Sequence, residues 1–247
     1  MRPTKVSRRE LLGAIGLAAG TSVVSGCGGE VQSQTPTPTD ASAAWQYVSL
    51  VPGTVAAEAY RLMPEGGCMY AAFTSILTAW GKASGQSVSS FPVHMMKYGE
   101  GGIGGWGTVC GALNGGAAII GLFEKDRKRR GAIIAELFSW YESTRLPSYL
   151  PNRDSAKIPA TAAESVLCHV SVGRWCETSG NKVLSKEMNE RCRRLTADVA
   201  AKTVELLNKS LDHAVTLAPD NSTPRAEEAP KSFGKMKCIT CHEVDNP

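Results

Sequence analysis

The chain has 247 residues, 43% of them hydrophobic and 20% charged, with a formal net charge of +4. So small a positive excess gives no footing for a nucleic-acid partner, while the apolar fraction suffices for one compact core. Eight cysteines and four histidines are then the residues whose chemistry needs an account.

The N-terminus reads as an address. Ser7-Arg8-Arg9-Glu10-Leu11-Leu12 opens on a twin arginine, and an apolar, Gly/Ala-rich stretch runs from Leu11 to Val24. This is the layout of a Tat export signal, and the apolar run is too short and too glycine-rich for a membrane span. It ends in Val24-Ser25-Gly26-Cys27, which resembles a lipobox, so residues 1–27 are read as signal and Cys27 as a site of acylation. An ordinary cleavage site with a chance thiol beyond it is the alternative. Residues 28–43, rich in Gly, Ser, Thr, Pro and Gln, have too little apolar surface to fold and are read as a tether. The expected location is the periplasm, where the lipid on Cys27 would be a membrane anchor.

Residues 44–217 carry helical periodicity throughout. Pro52 suits the first turn of a helix running to Met63, which Pro64 and Gly66-Gly67 are expected to end. Cys68 opens a second segment in which Met69, Phe73, Ile76, Leu77 and Trp80 recur at helical spacing. A glycine-crowded region from Gly99 to Gly116 leads into a small-residue segment through Ile120, suited to close approach of backbones or of a flat cofactor. The basic run Lys125-Asp126-Arg127-Lys128-Arg129-Arg130 reads as a solvated helix entry, or else as a docking face for an acidic redox partner. Ile133, Ile134, Leu137, Phe138 and Tyr141 predict a further helix, ended by Pro147 and Pro151. Another is predicted around Val166, Cys168, Val172, Trp175 and Cys176. The last helix has Met188, Cys192, Leu195, Val199 and Leu206 on one face, with Lys and Arg on the other. No alternating stretch is long enough for a sheet. The fold class is mainly α, a single helical bundle of five or six helices.

Gly102-Ile103-Gly104-Gly105-Trp106-Gly107 satisfies G-x-G-x-x-G, yet the preceding His94-Met95-Met96-Lys97-Tyr98-Gly99-Glu100 is no buried strand. A dinucleotide site needs that strand and a surrounding βαβ unit, so the match is read as a decoy.

Beyond the bundle, residues 218–247 form a polar linker and then Cys238-Ile239-Thr240-Cys241-His242. Two thiols three positions apart add across the two vinyl groups of one porphyrin, and the adjacent imidazole binds iron, so the pattern is that of c-type haem attachment. A zinc knuckle would need two further ligands at short spacing, and none follow. The tail is therefore read as a flexible haem-binding appendage, with Cys238 and Cys241 as thioether residues and His242 as axial ligand.

Five cysteines remain in the body: Cys68, Cys110, Cys168, Cys176 and Cys192. In an exported protein they could make two disulfides and a spare, pack as small hydrophobes, or serve as iron–sulfur ligands or a reactive dithiol. Cys68 and Cys110 are expected to open helices after glycines, where free amides and the helix dipole stabilise a thiolate.

Cys68, then Cys110-Gly111-Ala112-x-x-Gly115, then two later cysteines resembles the C_GCAxxG_C_C family of redox proteins. The segment from Arg191 to Asn208 resembles that family's C-terminal helix. With the export signal and the terminal haem motif, the chain is similar to the split-Soret cytochromes c over residues 48–242. The resemblance implies a periplasmic homodimer with stacked c-type haems, bis-histidine iron and an iron–sulfur centre. It also implies two haems per subunit, whereas a single Cys-x-x-Cys-His provides for one.

A second axial imidazole would come from His94, His169 or His213. His94 and His169 rank first, since His169 adjoins Cys168 and His94 precedes the glycine-rich region. Six-coordinate iron leaves no open position for substrate, so an electron carrier exchanging electrons with protein partners is favoured over an enzyme. The alternatives are a thiol–disulfide oxidoreductase and a haem enzyme with an open distal site.

Overall fold

The structure, a computed structural model, describes residues 45–211. Five α-helices dominate: α1 (Pro52–Ser84), α2 (Gly111–Phe123), α3 (Arg127–Ser143), α4 (Cys168–Ser179) and α5 (Lys186–Leu211). A 3₁₀ turn (Val93–Gly99) follows α1. Between α3 and α4 two short strands pair antiparallel, β1 (Arg145–Leu146) with β2 (Thr161–Ala162), which periodicity could not reveal at two residues each.

Long α1 is two helical segments in one run. Pro52 sits in its first turn, as predicted, but Pro64 does not end it. The break comes at Gly66 and Gly67, the latter at φ +80, a conformation that costs a residue with a Cβ. The second segment carries Phe73, Ile76, Leu77 and Trp80, all buried. They meet Leu113, Ile119 and Ile120 of α2, Leu137 and Tyr141 of α3, and Leu195, Val199, Val204 and Leu207 of α5 in one core. The α1–α5 pair shares the largest interface.

Bare glycine lets α2 come against α1. A Cβ on Gly115 would lie 2.6 Å from the Met69 carbonyl oxygen and 3.2 Å from the Phe73 nitrogen. The N-terminal segment is pinned by α5: the Asn208 side-chain amide accepts from the Leu50 N–H and donates to the Leu50 carbonyl. Trp80 Nε1 donates to the Gln46 carbonyl at 2.8 Å, and Trp45 stacks on the Trp80 ring.

The basic run is a helix entry: Asp126 caps α3, its carboxylate accepting from the Arg129 N–H at 2.8 Å. Arg129 turns inward to Glu124 and to Ser210, while Arg127 and Lys128 are exposed. One expectation for α5 is corrected. Arg191 and Arg194 are buried in it rather than lying on a polar face, because Arg191 is three residues after Met188 and four before Leu195, on the packed side. Among the described residues no helix is long and apolar enough to cross a membrane.

Candidate functional site

Four of the five body thiols gather in one place, and three local devices put them there. The Gly66–Gly67 break starts the second half of α1 at Cys68. Cys68 Sγ then lies so close to Gly111 that a Cβ there would overlap both the sulfur and the Gly99 carbonyl oxygen. This explains the glycine that follows Cys110, which is itself the buried residue preceding the first turn of α2.

The second device is an extended clip between residues 107–110 and 166–169. The Cys110 N–H donates to Val166 O at 2.8 Å, the Cys168 N–H to Thr108 O at 2.6 Å, and the His169 N–H to Gly107 O at 3.2 Å. It ties the start of α2 to the start of α4 and brings Cys168 beside Cys110. The third device is the glycine loop. Gly102 and Gly107 have φ near +70, and a Cβ on them would lie 2.8 Å from the Cβ atoms of Cys168 and His169. The loop thus presses its bare backbone onto both residues. The G-x-G-x-x-G element serves packing over the thiols and follows a 3₁₀ turn, not a strand.

The five body thiols are all unpaired. Cys68, Cys110, Cys168 and Cys192 lie within electrostatic reach of one another, and Cys176 joins this group through Cys192. Burial pushes the Cys68 thiol far up, and the neighbouring Cys110, Cys192 and Cys168 add to it. Burial likewise pushes Cys168 up to about 12, with Cys110 and Cys192 adding and Arg191 opposing. Cys192 is also raised by burial, against the pull of Arg191. The expectation of a stabilised thiolate at Cys68 is therefore corrected. The Gly101 amide does point at its sulfur, but desolvation outweighs it.

Sequence reasoning missed the polar lining of this pocket. Tyr141, fully buried, donates from its hydroxyl to Ser171 Oγ at 2.8 Å and also touches Cys110. Arg191 Nη2 donates to the same Ser171 Oγ at 2.7 Å and to its carbonyl at 3.4 Å, while Nη1 faces Cys192 Sγ at 3.8 Å. Its Nε has no acceptor. The available signal was the heptad position of Arg191 beside Cys192.

Among the described residues no three Cys, His, Asp or Glu side chains converge to hold one metal ion. Thiolates around a single ion sit about 2.3 Å from it, hence within about 4 Å of each other. Four soft sulfur donors within electrostatic reach of one another, beside a buried cation with an unused N–H, fit an anionic thiolate-ligated group.

Both candidate histidines are exposed. His94 lies on the 3₁₀ turn. His169 stands in the first turn of α4, next to Cys168, with Nδ1 at 2.8 Å from the Gly107 carbonyl. A carbonyl only accepts, so Nδ1 carries a proton, and in the neutral ring Nε2 then has the lone pair. Trp106, beside Gly107 in the loop, is 85% exposed, and Ile103 is exposed as well. Cys238, Cys241, His242, His213 and Cys27 lie outside the described residues. A cavity of about 470 Å³ lined by Trp45, Tyr47, Phe123, Arg129 and Leu207 borders none of the candidate residues.

Residues 70–206 match the family described as "Putative redox-active protein (C_GCAxxG_C_C)", a range that takes in Cys110, Cys168, Cys176 and Cys192 and begins just after Cys68. The chain is 38% identical over 193 residues to split-Soret cytochrome c of Desulfovibrio desulfuricans, covering 71% of this chain and 68% of that protein. A solved structure, described as showing a novel iron centre in the split-Soret cytochrome c from that organism, superposes with a TM-score of 0.66 at 35% identity. That match covers 81% of this chain and 82% of the other.

Proposed function

Because the chain belongs to the C_GCAxxG_C_C family of redox proteins and is a relative of split-Soret cytochrome c, we propose that it is an exported electron carrier with two redox stations. One is a haem c on Cys238 and Cys241, with His242 as an axial ligand. The other is an iron–sulfur centre held by Cys68, Cys110, Cys168 and Cys192. The observation that carries this reading is the gathering of four unpaired thiols, three of them within reach of the buried Arg191, directly beside an exposed histidine.

When bound, the haem supplies one-electron exchange between ferrous and ferric iron. The chain's own residues would do the rest. Cys238 and Cys241 would hold the ring through thioether bonds, and His242 would be one ligand of its iron. His169 is the better of the two candidates for the other, since the Gly107 carbonyl fixes its tautomer and ring orientation and leaves Nε2 free. The apolar surface of Trp106 and Ile103 next to it suits the face of a porphyrin. The reach is sufficient. The stretch from Leu211 to Cys238 can extend to roughly 90 Å at about 3.3 Å per residue, whereas Cys192 stands about 29 Å up α5 from Leu211. With iron ligated by His169, the haem would be held by the residue next in sequence to Cys168, a ligand of the thiol-held centre.

The twin-arginine signal suits this reading, because a centre inserted in the cytoplasm travels inside a folded domain. We place the protein in the periplasm as a homodimer, with Cys27 as a lipid anchor where it is acylated, and with electron-carrying proteins as partners. Carbon monoxide binding to the reduced full-length protein tests the axial assignment. Wild type and His94→Ala are expected not to bind it, and His169→Ala is expected to bind it. A wild-type protein that binds carbon monoxide, or a His169→Ala variant that does not, would overturn the assignment.

A further inference from the structure

We infer that Arg191 is the fixed cation that makes the thiol pocket an anion-holding site and raises the reduction potential of the centre held there. The inference rests on the reading of Cys68, Cys110, Cys168 and Cys192 as its ligands. Arg191 is 1% exposed, and a guanidinium cannot shed its proton in a protein. A charge so placed needs a compensating charge. Among the described residues no carboxylate pairs with Arg191. Its acceptors are the hydroxyl and carbonyl of Ser171 and the sulfur of Cys192, and Nε is left without one. Among the described residues, the groups that accept from it are thus neutral when the thiols are protonated, and the pocket would carry an uncompensated positive charge.

A group ligated by thiolates removes that imbalance. Its sulfurs would be anionic, and Nη1 already faces one of them, Cys192 Sγ, at 3.8 Å. Ser171 holds the guanidinium in place and is in turn held by Tyr141, which also touches Cys110. The cation is therefore positioned from the ligand set it faces. A one-electron donor that passed an electron to a centre held there would itself be oxidised by one, and the charge in the pocket would fall by one unit. Arg191 takes up no proton in this step. Its charge stabilises the more negative, reduced state, so its removal favours oxidation.

The test is a potentiometric titration of the full-length protein with dithionite, followed at the centre's own absorption and paramagnetic signals. Non-haem iron and acid-labile sulfide are measured first. Arg191→Met is expected to retain iron and shift the redox equilibrium at least tenfold toward the oxidised form, about 59 mV lower for one electron. Arg191→Lys keeps the charge but loses the fork onto Ser171, and its potential is expected to stay within half of that shift. An Arg191→Met protein with its iron and spectrum retained and an unchanged potential would overturn the inference. So would a lysine variant whose potential falls by the full tenfold shift, about 59 mV, which is also the deciding measurement if Arg191→Met does not fold. Wild-type protein without non-haem iron would overturn the ligand reading and this inference with it, before any variant is made.

Discussion

Gly115→Ala isolates the requirement for close approach of α2 to α1. The added Cβ would sit 2.6 Å from the Met69 carbonyl oxygen and 3.2 Å from the Phe73 nitrogen. Both neighbours are backbone atoms in a helix, so no flexible side chain can swing away, and α2 must retreat by several tenths of an ångström. Overpacking of this kind costs about 1–3 kcal/mol, against which alanine recovers up to about 1 kcal/mol of helix propensity. The net is a loss of about 0–2 kcal/mol, or a melting temperature lowered by up to about 8 °C for a domain of this size. Gly121 on the same helix is the control. It is exposed, and its Cβ would meet nothing nearer than an Arg130 carbon at 4.0 Å. Gly121→Ala is expected to raise the melting temperature by about 1–4 °C. Thermal unfolding followed by circular dichroism measures both. A Gly115→Ala protein as stable as Gly121→Ala would refute the packing argument.

Further expectations concern the thiols and two buried polar groups. In metal-free folded protein, Cys168, with its thiol pushed up to about 12, should react with iodoacetamide at pH 8 on the order of a thousand times more slowly than a free thiol; an ordinary rate would revive the thiol–disulfide oxidoreductase reading. Tyr141→Phe removes the hydroxyl that donates to Ser171 and should cost about 1 kcal/mol in urea denaturation, with no loss in haem content. Burial raises the Asp198 carboxyl above its ordinary value, with the hydrogen bonds from Ser148 acting against it. A raised folded-state value means that the folded chain binds the proton more tightly. Stability from this group is then full below the unfolded carboxylate range and lost as pH rises through the higher folded value. Denaturation midpoints of wild type minus Asp198→Asn should therefore increase as pH falls from 7 to 3, and a difference that decreases would contradict the assignment.

Much of the fold is legible in local pattern. The period of Met69, Phe73, Ile76, Leu77 and Trp80 marks the buried face of α1, and Gly66-Gly67 marks its break. Asp126 at the head of a basic run marks a helix start. The thiol pocket is less legible, because it is closed by contacts remote in sequence. The clip from Gly107–Cys110 to Val166–His169 leaves no periodicity, since each arm is short. A rule about helix starts suggested thiolates, yet the depth at which Cys68 lies depends on how α2 and the glycine loop close over it. Arg191 looked like one more basic residue on a charged helix, although its spacing from Met188 and Leu195 already put it on the inner side.

Haem, total iron and acid-labile sulfide measured together on anaerobically purified full-length protein test the two-station account most directly. The account predicts haem bound covalently to the chain, with iron in excess of haem and sulfide accompanying the excess. Iron equal to haem without sulfide would contradict the thiol-held centre, and a chain without haem would contradict the carrier itself.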